Sequence, residues 1–279
     1  MLKNQRFIFN DNGTEYDYSV ELDDYLSTSA VLPIVASEDK IYIGSDLPFT
    51  SKYFIVDTAN SLSSSLSIDI WYNNDWESVV DLLDGTSSGG KTLAQSGLIQ
   101  WKTNKDKGWN VATDSSDVDG VSASGMYDLY WIRISCSADI SDTTSLKYVG
   151  YKFSEDDELF SIYPTLNDPD LQEAFASEQT DWQNQSLSAS QAIIMELQAS
   201  NIAFSPAQLM NVEKFKMANI HKTAHIIYSG IGENYSAEAA KAYNRYRNSM
   251  NMKQFDVDEN GDGALSKGEQ KVSTIYMSR

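Results

Sequence analysis

Apolar and polar positions change rhythm near residue 155. Before it, short β-branched and aromatic runs recur: Arg6-Phe7-Ile8-Phe9, Lys40-Ile41-Tyr42-Ile43, Lys52-Tyr53-Phe54-Ile55-Val56 and Leu146-Lys147-Tyr148-Val149-Gly150-Tyr151. Residues 67–72 and 130–135 alternate apolar with polar, the period of a strand whose side chains point to opposite faces. Clusters of Gly, Asn, Asp and Ser separate the runs. This pattern predicts an antiparallel, jelly-roll-like β-sandwich over residues 1–153. The polar stretches 84–91 and 112–125 read as surface loops.

Beyond it the apolar spacing becomes helical. Ser154 precedes Glu155-Asp156-Asp157-Glu158, acids that favour a helix N-terminus, and Pro164 stops that helix early. Thr180 caps a predicted helix to about Ser200, with Ile193, Ile194 and Leu197 on its apolar face. Ser205-Pro206 is a start signal, and Leu209, Val212, Phe215, Met217, Ile220, Ala224 and Ile227 form the buried face that follows. Gly230 is the expected C-terminal cap. Ser236 opens a third long helix to about Gln254. The expected class is therefore α+β and multidomain: the sandwich, a small antiparallel helical bundle over 154–255, and a C-terminal segment over 256–279.

That last segment carries the most specific motif. An EF-hand loop places oxygen ligands at positions 1, 3, 5, 7, 9 and 12 and glycine at 6. Counting from Asp258, these are Asp258, Asn260, Asp262, the carbonyl of Ala264, Ser266 and Glu269, with Gly263 at the sharp turn. Leu265 anchors the loop to apolar surroundings, Met252 and Phe255 precede it, and the residues after Lys267 suffice for one exiting helix. A second register, from Asp256, fails because Lys267 falls where the bidentate acid belongs. Ca2+ is the implied ion. Sensors usually pair such loops; a solitary one reads as a static staple for the C-terminus.

Charge narrows the partners. The formal net charge is −19, with net −11 up to Lys152 and −8 from Phe153 onward. A surface this acidic does not grip nucleic acid by neutralising phosphates; it could line a passage through which DNA slides, while on charge alone solubility or cation binding is the plainer reading. No apolar run approaches the roughly 20 residues that span a bilayer, so no membrane contact is expected. Met1 to Arg6 lacks the apolar core of a secretory signal. Cys136 is the single cysteine, so no intramolecular disulfide forms.

No catalytic constellation stands out, and no enzyme activity is expected. There is no Gly-x-Ser-x-Gly, phosphate loop or dinucleotide fingerprint. His221 and His225 share a helical face, but Lys222 occupies the position where a zinc protease carries glutamate. Trp71, Trp76, Trp101, Trp109 and Trp131 could stack on sugars if exposed; alternating aromatics in strands more often fill a core.

Two stretches carry a resemblance. Residues 67–76 and 82–86, Gln95-Ser96-Gly97-Leu98-Ile99-Gln100-Trp101, Gly108-Trp109 and Tyr130-Trp131-Ile132-Arg133-Ile134 resemble a β-sandwich module of tailed-phage virion proteins. Residues 156–166, Thr180-Asp181-Trp182, 189–197, Gln208-Leu209 and 214–228 resemble the helical core of phage head–tail connector (adaptor, neck) proteins. The β module and the calcium loop depart from the minimal, purely helical adaptor. The resemblance implies a virion protein assembled in the host cytoplasm: a homo-oligomeric ring below the portal, contacting portal and tail proteins, with DNA passing through. It carries over no catalytic residue. The rival expectation is an extracellular carbohydrate-binding sandwich with a calcium-stapled helical module.

Overall fold

The computed structural model describes residues 5–103, 108–112, 118–124, 128–251, 254–266, 269 and 272–273. The chain divides into two compact units, Met1–Gly150 with Asn260–Ala264, and Tyr151–Glu259 with Leu265–Arg279.

The first unit is built from two antiparallel sheets, followed in the chain by the helical region. Its strands are β1 (Gln5–Asp11), β2 (Thr14–Asp17), β3 (Ala30–Val31), β4 (Lys40–Ser45), β5 (Ser51–Thr58), β6 (Leu66–Tyr72), β7 (Asp75–Ser78), β8 (Val80–Asp84), β9 (Gly97–Lys102), β10 (Tyr130–Cys136) and β11 (Ser145–Gly150). One sheet runs β2-β1-β4-β10-β6-β7 and the other β3-β11-β5-β9-β8. Every predicted run forms a strand. The register Phe7↔Ile43↔Ile132↔Ile70 and Phe9↔Ile41↔Ile134↔Ile68 puts these eight buried side chains on one face of the first sheet.

The opposite face is buried too, which corrects the expectation of a surface loop at residues 112, 118 and 121; residues 113–117 and 125 of that stretch lie outside the described residues. Ala112, Val118 and Val121 pack with Ile8, Tyr42, Trp71 and Trp131 in one apolar cluster. This explains why Phe7-Ile8-Phe9 and Ile41-Tyr42-Ile43 are continuous apolar runs: a strand covered on both faces has no reason to alternate. Trp131 lies opposite Gly44 on β4, and a Cβ at Gly44 would sit 3.0 Å from the indole ring. The predicted loop 84–91 also needs correcting at Thr86. Its side chain is buried and bonds Asp84, so the turn is pinned inward.

The second unit holds α1 (Asp156–Ile162), α2 (Pro169–Phe175), α3 (Gln183–Ala199), α4 (Lys216–Ile231) and α5 (Ser236–Asn251). Pro164 ends α1 as expected, but Glu155, not Ser154, is its cap, through a capping box with Glu158. Asp168-Pro169 starts α2, a helix the apolar spacing did not reveal. α3 begins at Gln183, after Trp182 rather than Thr180. Leu159, Tyr163, Leu166, Leu171, Trp182, Ile220, Ala224, Ile227, Tyr228, Ala239 and Ala242 form one apolar core cluster of this unit. The Trp182 indole donates to the Leu166 carbonyl at 2.7 Å, so the largest core side chain is also polar-satisfied.

The long helix predicted from Pro206 is not continuous. Single 3₁₀ turns cover Pro206–Gln208 and Val212–Phe215, and α4 starts only at Lys216. Between them Leu209 bridges to Val257, and the Met210 N–H donates to the Asp256 carbonyl at 3.2 Å. Backbone groups committed to another strand cannot serve a helix ladder. Met217, expected on the buried face, is 36% exposed. α4 runs past Gly230, and Gly232, at φ +124, ends it.

Candidate metal centre

Residues 256–258 enter the candidate loop as an extended segment held along 208–210. The Asp258 N–H donates to the Gln208 carbonyl at 3.0 Å, and the Gln208 amide returns a bond to the Asp258 carbonyl at 2.8 Å. Lys214 pairs with Asp256 at 2.7 Å. Asp258 is fully buried. Gln208 is the positioning residue that sequence reading missed; its signal was the capping box with Ser205, which marks it as a residue in a tight turn.

The flanks depart from a helix–loop–helix. Phe255 lies on β12 (Gln254–Phe255), which pairs with β13 (Val272–Ser273), so a two-stranded clasp stands where an exiting helix was expected. Phe255 stacks on Phe215 with ring centroids 4.6 Å apart, anchoring the entry strand. Met252 and most of the segment after Ser266 lie outside the described residues.

Inside the loop the turns follow the motif. Gly261 and Gly263 have φ of +71 and +77, the left-handed region glycine occupies without strain. The Asp262 N–H donates to Asn260 Oδ1 at 3.0 Å and the Ala264 N–H to Asp262 Oδ1 at 2.8 Å, two successive Asx turns. Glu269, buried, closes the loop: Oε1 accepts from Glu259 N–H at 3.1 Å and Oε2 from Ser266 N–H at 2.7 Å.

Among the described residues no three Asp, Glu, His or Cys side chains converge as a metal-holding group. The six proposed ligands are all oxygens, three from carboxylates and the rest from an amide, a carbonyl and a hydroxyl. That donor set fits a hard cation such as calcium and not zinc.

No protein-family model, curated protein or solved structure matches this chain.

The other candidate groups have structural employment. His225 Nδ1 lies 3.2 Å from the Ala239 carbonyl, and burial lowers its pKa. The His221 ring Nδ1 lies 2.9 Å from the Tyr163 hydroxyl. Burial pushes the Cys136 thiol up to about 11, the reverse of an activated nucleophile. Trp71, Trp101 and Trp131 are buried, while Trp76 packs on Trp71 and Trp109 on Phe49. Trp76 and Trp109 are half-buried.

Proposed function

We propose that the protein is a non-catalytic structural subunit of a tailed-phage neck: a head-to-tail connector that forms a ring below the portal and binds calcium at its C-terminal loop. One observation carries the reading. Leu159, Tyr163, Leu166, Trp182, Ile220, Ala224 and Tyr228, all within the stretches that resemble connector proteins, pack together in one core cluster of the helical unit. The resemblance therefore rests on residues that define a fold and not on surface composition.

The charge supports the same reading. A ring of subunits at −19 each repels duplex phosphates and keeps DNA mobile in a channel. Among the described residues no helix is long and apolar enough to cross a membrane. The loop adds a static clasp: Gly263 shapes the turn, and Glu269 holds the amides of Glu259 and Ser266 in place. Bound calcium would supply further cross-linking of Asp258, Asn260, Asp262, Ala264, Ser266 and Glu269.

Electron microscopy and light scattering of the purified full chain, alone and with portal protein, test the proposal. Closed rings, or a stoichiometric complex with the portal, are expected. A monomer that binds no virion protein sinks it. The carbohydrate-binding alternative requires an accessible aromatic platform; Trp71, Trp101, Trp131 and Trp182 are buried, and Trp76 and Trp109 are half-buried.

A further inference from the structure

Tyr163, which ends α1, is buried, and its hydroxyl lies 2.9 Å from Nδ1 of His221 on α4. Arg245 on α5 places its guanidinium carbon 5.7 Å from the Tyr163 ring centroid. Burial raises the Tyr163 pKa, and the hydrogen bond from Arg245 opposes that rise. Arg245, Asn248 and Ser249 are spaced so that they share one face of α5. With Ser161 and Ile162 from the end of α1, and His221 between, they line an open cleft of about 520 Å³.

The charge state of this cleft is unusual for the molecule. The chain holds 40 acidic residues against 21 basic ones. Among the described residues, Arg6, Arg133 and Arg247 each have a carboxylate within 4.0 Å, and Arg245 has none. An arginine left without a counter-ion amid such an excess of acid is a vacancy for an anion.

We propose that this cleft binds a phosphate group, free or as a monoester. The donor inventory decides the class. A guanidinium fork, the Asn248 amide and the hydroxyls of Ser161 and Ser249 offer more hydrogen-bond donors than the two oxygens of a carboxylate can accept. A phosphate supplies the additional oxygens. The Ser161 hydroxyl, which donates to the Glu158 carbonyl at 2.7 Å, would turn toward the ligand. Ile162, 38% exposed, gives the organic part of a monoester an apolar contact. Glu158, one turn from Ser161, is paired with Lys216 at 2.7 Å, and acids farther than about 8 Å are screened at physiological salt. The cleft lies at the carbonyl ends of α1 and α5, which weakens anion binding. This inference does not rest on the connector reading.

The test is an NMR titration of the isotopically labelled full chain, reading the Arg245 Nε–H and the His221 ring. Inorganic phosphate and phosphoserine are added in turn against chloride at matched ionic strength. Saturable shifts at both residues are expected in the parent, and binding read at the His221 ring is weakened at least tenfold in Arg245→Gln and in Asn248→Asp, which supplies a competing carboxylate. Both substitutions are at exposed positions, and unchanged helical circular dichroism verifies the fold. Tighter saturation by phosphoserine assigns the monoester, and by inorganic phosphate the free ion. Shifts that grow linearly as they do with chloride, or that persist undiminished in both variants, overturn the proposal.

Discussion

Asn219 on α4 is fully buried, and its amide joins three segments of the helical unit. Its Oδ1 accepts from the hydroxyls of Ser154 and Ser186, the latter at 3.1 Å. Its Nδ2 donates to Ser190 Oγ at 2.8 Å and to the Ser186 carbonyl at 3.2 Å. Asn219→Ala removes all four bonds, but the orphans are fewer. Ser190 Oγ keeps the Ser186 carbonyl at 3.0 Å and the Phe153 N–H at 3.2 Å. Ser186 Oγ keeps the Ser154 carbonyl at 3.0 Å. Only the Ser154 hydroxyl is stranded, left with a 3.4 Å approach to Ser186 Oγ. One buried orphan costs about 1–3 kcal/mol, and the lost amide contacts and residual void add to it. The expected loss is about 3 kcal/mol, read as a shift in the urea midpoint of the helical circular dichroism signal. Asn244→Ala, at an exposed position of α5, is the control and shifts stability by less than about 0.5 kcal/mol. A loss below about 1 kcal/mol for Asn219→Ala refutes the reasoning, because it means the three serines satisfy one another without the amide.

Three other perturbations follow from the same geometry. Gly44→Ala drives a Cβ to 3.0 Å from the Trp131 ring and destabilises the β unit by about 1–3 kcal/mol, measurable as a lower thermal midpoint with the helical signal retained. Lys52, buried with its ammonium on Gln5 and over the Phe49 ring, has its pKa lowered to about 7, chiefly by burial. The unfolded chain then binds the proton more readily than the folded one between about 7 and the ordinary lysine value, so this residue's penalty grows as pH falls through that window and is constant below it. Lys52→Met is accordingly more stable than the parent near neutrality, and paired melts across pH show the difference shrinking toward pH 10 (within about half a unit of the free lysine value). Glu269→Gln keeps one acceptor oxygen for the loop amides but cannot chelate as a carboxylate. Calorimetry is expected to show calcium binding by the parent and none by the variant, with the β unit's melt unchanged. A parent chain that gives no heat at millimolar calcium removes the metal from the proposal.

Local chemistry decided the elements, and the sequence alone exposes it. The strands of the first unit are legible because β-branched and aromatic runs between Gly, Asn and Asp clusters have few other stable uses. The turns of the candidate loop are legible because all its ligands lie within twelve consecutive positions, where Gly261, Gly263 and the Asx turns act on their nearest neighbours. Long-range contacts decided the rest. The apolar positions from Leu209 onward predict an unbroken helix, yet Leu209 and Met210 give their backbone to residues 256 and 257, a partner no local window contains. Ser154 looks like a helix cap and serves instead as a buried partner of Asn219. Ala112, Val118 and Val121 belong to a stretch that looks like a surface loop and instead pack with Trp131. The loop that dominates the sequence is flanked by a β-clasp because Phe255 pairs with Val272. Periodicity reports which face of an element is apolar; which surface covers that face, and whether a backbone bonds within its own helix or to a distant strand, is settled only when the whole chain competes for the same groups.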